Sequence, residues 1–135
     1  MPFVLDASVV LAWLMPDEQS ELAEKLIRRV ADDRAFAPSL LLLEVGNALL
    51  QAQRRARVPA ATRQALLDAF TRLPLILEPI SGDSMLRAGT CAEEHGLSLY
   101  DGCYLELAAA RSYPLATLDG GLLRAAQAAG VAVLT

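Results

Sequence analysis

Short apolar runs that alternate with helix-length segments are the feature that most constrains this chain. Five runs are typical of buried strands, at residues 3–5, 36–37, 75–77, 115–118 and 131–134. Strands without a polar face belong to parallel sheets that helices cover on both sides. The pattern therefore predicts the α/β class, with a parallel sheet between two helical layers.

Six segments between these runs carry helix signals, at residues 17–33, 39–57, 61–73, 83–95, 98–111 and 122–129. Gly96 and Gly130 each follow a predicted helix, at the position where glycine is favoured. Residues 7–15 continue apolar after the first strand until Pro16 breaks the stretch. No repeat, linker or low-complexity segment divides the chain, so residues 1–135 are predicted to form one domain.

The composition excludes several classes of protein. Apolar residues make up 54% of the chain and charged residues 21%, which is typical of a packed globule. Acidic residues number 16 against 12 basic ones, so bulk positive charge does not hold this protein on nucleic acid or membrane. Two cysteines and one histidine are too few for a four-ligand structural zinc site. A bound metal would therefore need oxygen ligands.

The sequence shows neither a membrane span nor a secretory signal. Its longest stretches without a charge, residues 7–16 and 125–135, have about half the ~20 residues that a membrane helix needs. Cys91 and Cys103 do not form a C-x-x-C pair, so buried, reduced thiols are the simplest interpretation and one disulfide is the alternative. We expect a cytoplasmic protein.

Two aspartates stand directly after predicted strands. Asp6 follows the first strand, and Asp119 follows the strand at residues 115–118. In open parallel sheets, ligands bind beyond the carboxyl ends of the strands, near the point where the strand order reverses. Both residues are therefore candidates for a site at that edge. Asp is also favoured in turns and at helix N-caps, which would explain either residue without any chemistry.

Glu44 lies within a strongly apolar predicted helix. This helix is apolar nearly all round, so we expect most of its surface to be buried, where an unpaired carboxylate is costly. Four polar residues extend one stripe from Glu44 along the helix, namely Asn47, Gln51, Arg54 and Arg55. Glu44 is thus either a functional carboxylate or the first member of a stripe that faces water.

Asp101 has a structural explanation of its own. Ser98 and Asp101 fit a capping box, in which each side chain bonds to the backbone N–H of the other residue. A capping carboxylate can still direct its second oxygen outward, so capping and function are compatible.

Four carboxylates at one edge of the sheet would need cations. Two unit charges ~4 Å apart repel by about 4 kcal/mol at an effective dielectric constant near 20. Carboxylate oxygens select Mg²⁺ or Mn²⁺, ions that bind phosphate oxygens well and support phosphoryl chemistry. Without the four candidate carboxylates, Asp6, Glu44, Asp101 and Asp119, the chain would have 12 acidic and 12 basic residues. The net charge of −4 therefore equals the formal charge of these four side chains.

The order and spacing of these residues resemble the PIN-domain ribonucleases, and among them the VapC-type toxins of bacterial and archaeal toxin–antitoxin pairs. The resemblance covers essentially the whole chain, and its most specific part runs from Tyr100 to Asp119 and on to Val131. The family implies a three-layer α/β/α domain with a mostly parallel, five-stranded sheet and a Mg²⁺- or Mn²⁺-dependent endoribonuclease site. It also implies a homodimer and a small cognate antitoxin that covers the active cleft.

The resemblance also implies a role for individual residues. The catalytic, metal-binding quartet would be Asp6, Glu44, Asp101 and Asp119. Ser8 matches a hydroxyl of the family that holds a carboxylate, a water or a phosphate, and Asn47 and Thr117 would support the site.

Basic and aromatic residues are harder to assign from the sequence. Arg54 and Arg55 could guide an RNA backbone toward the site, because phosphate contacts supply much of the affinity for nucleic acid. The alternative is a solvated helix end, where cations favour the helix dipole. We interpret Tyr100 and Tyr104 as packing residues.

Two other function classes remain for comparison. A domain that keeps the fold without turnover would bind RNA or protein and leave RNA intact. A phosphatase or phospho-receiver fits poorly, because Asp6-Ala7-Ser8 lacks the D-x-D motif of aspartyl phosphatases and Lys25 is the only lysine.

Overall fold

The computed structural model describes residues 1–134, which form five strands and seven helices. The strands are β1 (Phe3–Leu5), β2 (Ala35–Pro38), β3 (Ile76–Glu78), β4 (Leu115–Ala116) and β5 (Val133–Leu134). The helices are α1 (Ala7–Leu14), α2 (Glu21–Asp32), α3 (Leu40–Arg54), α4 (Ala60–Thr71), α5 (Gly82–His95), α6 (Leu99–Arg111) and α7 (Gly120–Ala128). The predicted strands and six predicted helices are confirmed, with ends that shift by up to a few residues.

The strands form one sheet in the order β3-β2-β1-β4-β5. Every pairing in it is parallel, which confirms the predicted α/β class. The fully buried β1 occupies the centre. From β1 the chain moves outward to β3 and then crosses back to place β4 on the other side of β1. The strand order therefore reverses between β1 and β4.

The helices cover both faces of the sheet. Helices α1 to α4 pack on one another, whereas α6 packs against α5, α7 and the three central strands. Crossovers between parallel strands are right-handed, so the change of direction after β3 places α5 to α7 on the opposite face from α1 to α4. The result is the three-layer α/β/α arrangement.

Helix α1 was not predicted, because its sequence has no polar face. Four of its 8 residues are buried, and the apolar stretch hides the helical period. The helix begins where the Asp6 carboxylate accepts hydrogen bonds from the N–H groups of Ser8 and Val9, at 2.9 and 3.4 Å. The capping residue therefore determines where β1 ends and α1 begins.

Helices α5 and α6 approach each other closely at Gly102. A Cβ atom at this position would lie 2.6 Å from the carbonyl oxygen of Ala88 and 2.9 Å from the Cβ of Ala92. Only glycine fits this contact without displacing the backbone of α5. The contact fixes the position of α6, which carries Asp101 in its first turn.

Two further expectations concern the thiols and the membrane. Cys91 and Cys103 both carry free thiols, and both are partly exposed rather than fully buried. Among the helices of residues 1–134, none combines the length and the apolar character needed to cross a membrane.

Candidate active site

Asp6 and Asp119 lie at the edge of the sheet where the strand order reverses. Asp6 follows β1, and Asp119 follows the neighbouring strand β4 after two intervening residues. Both are also N-caps: Asp6 caps α1, and the Oδ2 atom of Asp119 accepts a hydrogen bond from the N–H of Leu122 at 2.8 Å. The capping interpretation is therefore right for both residues, and capping is what holds their carboxylates at this edge.

Two hydroxyl groups connect the ends of β1 and β4. Thr117 donates a hydrogen bond to Oδ2 of Asp6 at 2.6 Å and accepts one from the N–H of Asp119 at 3.0 Å. Ser8 donates to Oδ1 of Asp6 and accepts from the N–H of Leu118 at 2.8 Å. These bonds take the chain out of the strand at residue 117, which explains why β4 is shorter than predicted. They also set the position of Asp119 relative to Asp6.

Asp6 is the most deeply buried of the four acidic residues, with 4% of its surface exposed. Burial raises the pKa of its carboxyl group to about 6, although hydrogen bonds from Ser8, Thr117 and the backbone N–H of Val9 favour the ionised form. A cation next to this group would stabilise its ionised form further.

Glu44 is directed into the same region from helix α3. Its side chain is half-buried, and its Oε1 atom accepts a hydrogen bond from the hydroxyl of Tyr104 at 2.6 Å. Burial raises the pKa of Glu44, the bond from Tyr104 lowers it, and the negative charges of Asp101 and Asp6 raise it. Glu44 is therefore a neighbour of two other acidic residues, and not simply the first member of a solvent-facing stripe.

Helix α3 is less buried than its sequence suggests. Leu42 is 45% exposed and Leu43 is 78% exposed, so the expectation that most of this helix is buried is wrong. Leu43 lines an open groove with Glu44, Asn47 and Tyr100. Tyr100 is 63% exposed, which also overturns its interpretation as a packing residue. Periodicity does not distinguish an apolar face toward the core from one that lines a surface groove.

Asp101 lies in the first turn of helix α6. The Oγ atom of Ser98 accepts a hydrogen bond from the N–H of Asp101 at 3.1 Å, which is half of the predicted capping box. In the described part of the chain, the Asp101 carboxylate makes no return bond to Ser98. Burial and the negative charge of Asp119 raise the pKa of Asp101. Capping therefore leaves this carboxylate available beside Asp119.

The four carboxylates form a series of electrostatic neighbours. Glu44 lies near Asp6 and Asp101, Asp101 lies near Asp119, and Thr117 connects Asp119 to Asp6. Within residues 1–134, no three Asp, Glu, His or Cys side chains are close enough to hold one ion between them. Mg²⁺ usually binds through one or two carboxylates and keeps several waters. The donors therefore fit a hydrated hard cation rather than a closed cage.

The two arginines considered as RNA contacts lie outside this cluster. Arg54 and Arg55 are exposed at the far end of α3, and the ten residues from Glu44 to Arg54 correspond to ~15 Å of helix. Arg57 is engaged elsewhere, since it donates to both carboxylate oxygens of Asp17 at 2.9 Å. An RNA backbone that contacts Arg54 and Arg55 would therefore lie beside the acidic site rather than within it.

Tyr104 is the site residue that the sequence interpretation missed. It is 1% exposed, which agrees with a packing role, but its hydroxyl bonds to Glu44. The available signal was its spacing: Tyr104 follows Asp101 by three residues, which places both on one face of α6.

This geometry agrees with the comparison to known families. A family model of the PIN domain matches residues 3–128, a range that contains all four acidic residues and every element from β1 to α7. The chain belongs to the PIN domain family. Its sequence-based assignment is therefore confirmed.

Relatives of this PIN domain are similar to it over most of their length. Ribonuclease VapC3 of Pyrobaculum aerophilum is 30% identical over 120 residues, which are 88% of this chain and 90% of the relative. Ribonuclease VapC9 of Mycobacterium tuberculosis is 31% identical over 116 residues, which are 86% and 84% of the two chains. The crystal structure of VapBC2 from Rickettsia felis, bound to a DNA fragment from its promoter, matches with a TM-score of 0.69 at 15% identity. That match covers 99% of this PIN domain and 98% of the other chain, so the fold is shared throughout.

Proposed function

We propose that this PIN domain is a Mg²⁺- or Mn²⁺-dependent endoribonuclease that cleaves RNA phosphodiester bonds. The observation that carries the proposal is the convergence of Asp6, Glu44, Asp101 and Asp119 where the order of the parallel strands reverses. Two relatives named ribonucleases, each at least 30% identical over most of the chain, support RNA as the substrate.

Two of the four acidic residues are fixed by side-chain hydrogen bonds, and the other two are accessible to solvent. Asp6 is held by the hydroxyls of Ser8 and Thr117, and Glu44 is held by Tyr104. Asp101 is partly exposed and Asp119 is exposed, so a phosphodiester group can approach them from solvent. A divalent ion bound among these carboxylates would neutralise phosphate charge and activate water for hydrolysis.

Cleavage of a broad panel of RNAs by the purified protein tests this proposal. The protein, free of any antitoxin, should cut RNA with Mg²⁺ or Mn²⁺, and EDTA or Asp6→Asn should abolish the cleavage. Asp68→Asn is the matched control, because it removes one carboxylate from an exposed position on α4. RNA that stays intact with folded protein and either metal would refute the enzymatic proposal. RNA binding that also survives Asp101→Asn would instead identify a non-enzymatic binding domain.

We also propose that the protein is the toxin of a type II toxin–antitoxin pair and acts in the cytoplasm as a homodimer. The similarity to a chain of a VapBC2 complex supports a protein partner. The exposed groove with Leu43 and Tyr100 is an apolar surface that such a partner would bury. Expression should arrest growth unless Asp6 is replaced, and light scattering should give twice the mass of one chain. Normal growth, or the mass of a single chain, would contradict the corresponding part of this proposal.

A further inference from the structure

Tyr104 connects the two helices that carry Glu44 and Asp101. Its hydroxyl donates to Oε1 of Glu44 at 2.6 Å, between residues 60 positions apart in the chain. We propose that Tyr104 is a positioning residue that holds the Glu44 carboxylate toward Asp101. This inference rests on the proposed function, because the position of Glu44 matters only if the acidic cluster is a working site.

Tyr104 is held rigidly by its position on helix α6. Asp101 and Tyr104 lie about one turn apart on the same face of α6. Close packing at Gly102 fixes α6 against α5. Helix α6 therefore sets the position of Tyr104 relative to Asp101. Because the Tyr104 hydroxyl bonds to Glu44, it also sets the position of the Glu44 carboxylate.

Glu44 depends on this bond for its orientation. Among the residues that the structure describes, Tyr104 is the one that hydrogen-bonds the Glu44 carboxylate. Glutamate has three rotatable side-chain bonds, and the negative charges of Asp6 and Asp101 lie nearby. Without the hydroxyl, repulsion from these neighbours favours rotation of Glu44 away from the cluster.

The hydroxyl group of Tyr104 can be removed without changing the packing of its ring. The ring of Tyr104 is buried, with 1% of the residue exposed, and phenylalanine would fill the same space. A buried tyrosine hydroxyl usually needs a hydrogen-bond partner. Here that partner is an acidic residue from the opposite helical layer, so Tyr104→Phe removes one contact with the site and leaves the packing in place.

A double-mutant cycle of Tyr104→Phe and Glu44→Leu tests the inference with Mn²⁺ alone as the probe, because leucine is similar in size to glutamate and has no acceptor for the Tyr104 hydroxyl. Free Mn²⁺ is measured by electron paramagnetic resonance during titration of each protein. We expect Tyr104→Phe to weaken Mn²⁺ binding about 10- to 100-fold, as is typical for partners of metal ligands. In the Glu44→Leu background the same change should have no further effect on Mn²⁺ affinity. Tyr113→Phe is the matched control, because Tyr113 packs on Phe36 and not on an acidic residue of the site.

Several results would overturn the positioning role. One is an equal Mn²⁺ affinity of the wild-type and Tyr104→Phe proteins. Another is a loss of Mn²⁺ affinity on Tyr104→Phe that is equally large with and without Glu44, because it would indicate a general structural effect. The same four proteins are also unfolded in urea without metal, where the cycle should show a coupling of at least about tenfold in the unfolding constant. Absence of that coupling would refute the link between Tyr104 and Glu44. Wild-type protein that binds no Mn²⁺ would refute the proposed function, whereas the unfolding cycle would still decide the link.

Discussion

Asp6 makes the stability of the metal-free protein depend on pH in an unusual direction. Burial raises the pKa of its carboxyl group from an ordinary 3.8 to about 6, despite the hydrogen bonds that favour ionisation. The group is protonated in both the folded and the unfolded chain well below pH 3.8, and it ionises more readily in the unfolded chain above that value. We therefore expect the protein without metal to lose stability as the pH rises through this range. Asp6→Asn should remove that loss.

The size of the effect follows from the two pKa values. A difference of one in pKa corresponds to about 1.36 kcal/mol. The rise from 3.8 to about 6 therefore lowers the free energy of unfolding by about 3 kcal/mol at pH 7. Roughly 2 kcal/mol of this loss falls between about pH 4.5 and pH 7.

Urea denaturation in the presence of EDTA at pH 4.5 and at pH 7 measures this effect. The difference in unfolding free energy between Asp6→Asn and the wild type should change by about 2 kcal/mol between these pH values, in favour of the variant at pH 7. Comparing the two pH values cancels the constant effect of the altered hydrogen bonds around the amide. Asp68→Asn is again the control for loss of one carboxylate from an exposed position.

A difference that stays constant between the two pH values would refute the reasoning. It would mean that Asp6 releases its proton equally well in the folded and the unfolded chain. Addition of Mg²⁺ at pH 7 gives a second check, because an ion that favours the ionised carboxylate should stabilise the wild type more than Asp6→Asn.

Further substitutions address the hydroxyl network, the helix contact and the basic residues. Thr117→Val should lower the free energy of unfolding in urea by about 1–3 kcal/mol, because both hydrogen-bond partners of the hydroxyl lose it, and Thr117→Ser should restore most of the loss. Gly102→Ala should cost about 1–3 kcal/mol and lower the Tm, because the added Cβ would meet the carbonyl oxygen of Ala88 at 2.6 Å; an unchanged Tm would contradict this packing. Replacing Arg54 and Arg55 by Ala should weaken RNA binding and flatten its salt dependence in filter-binding assays, whereas an unchanged slope would support a solvated helix end.

Much of the fold could be predicted because local signals agree with the tertiary structure. The α5 helix ends at Gly96, whose φ of 64° lies in the left-handed region that favours glycine. Helix α1 was missed because an apolar helix has no polar face to reveal its period. The sequence does not show the end of β4, because the side chain of Thr117 bonds to Asp6, which lies 111 positions away in the chain.

The acidic site could be predicted only in part. Asp6 and Asp119 were found because the carboxyl ends of parallel strands meet at one edge of a sheet. The orientation of Glu44 depends on Tyr104, whose spacing from Asp101 indicates a shared helix face but does not identify a polar partner in another layer. The exposure of Leu43 was likewise hidden, since an apolar sequence does not reveal whether its surface is covered.

The central claim is that the acidic cluster of Asp6, Glu44, Asp101 and Asp119 binds a hydrated, hard divalent cation. Calorimetric titration of Mg²⁺ or Mn²⁺ into the metal-free protein tests it most directly, with the wild type compared with Asp6→Asn, Asp119→Asn and the control Asp68→Asn. We predict binding to the wild type and the control that is lost in the two site variants. Wild-type protein that binds neither ion, or site variants that bind as the wild type does, would contradict the claim.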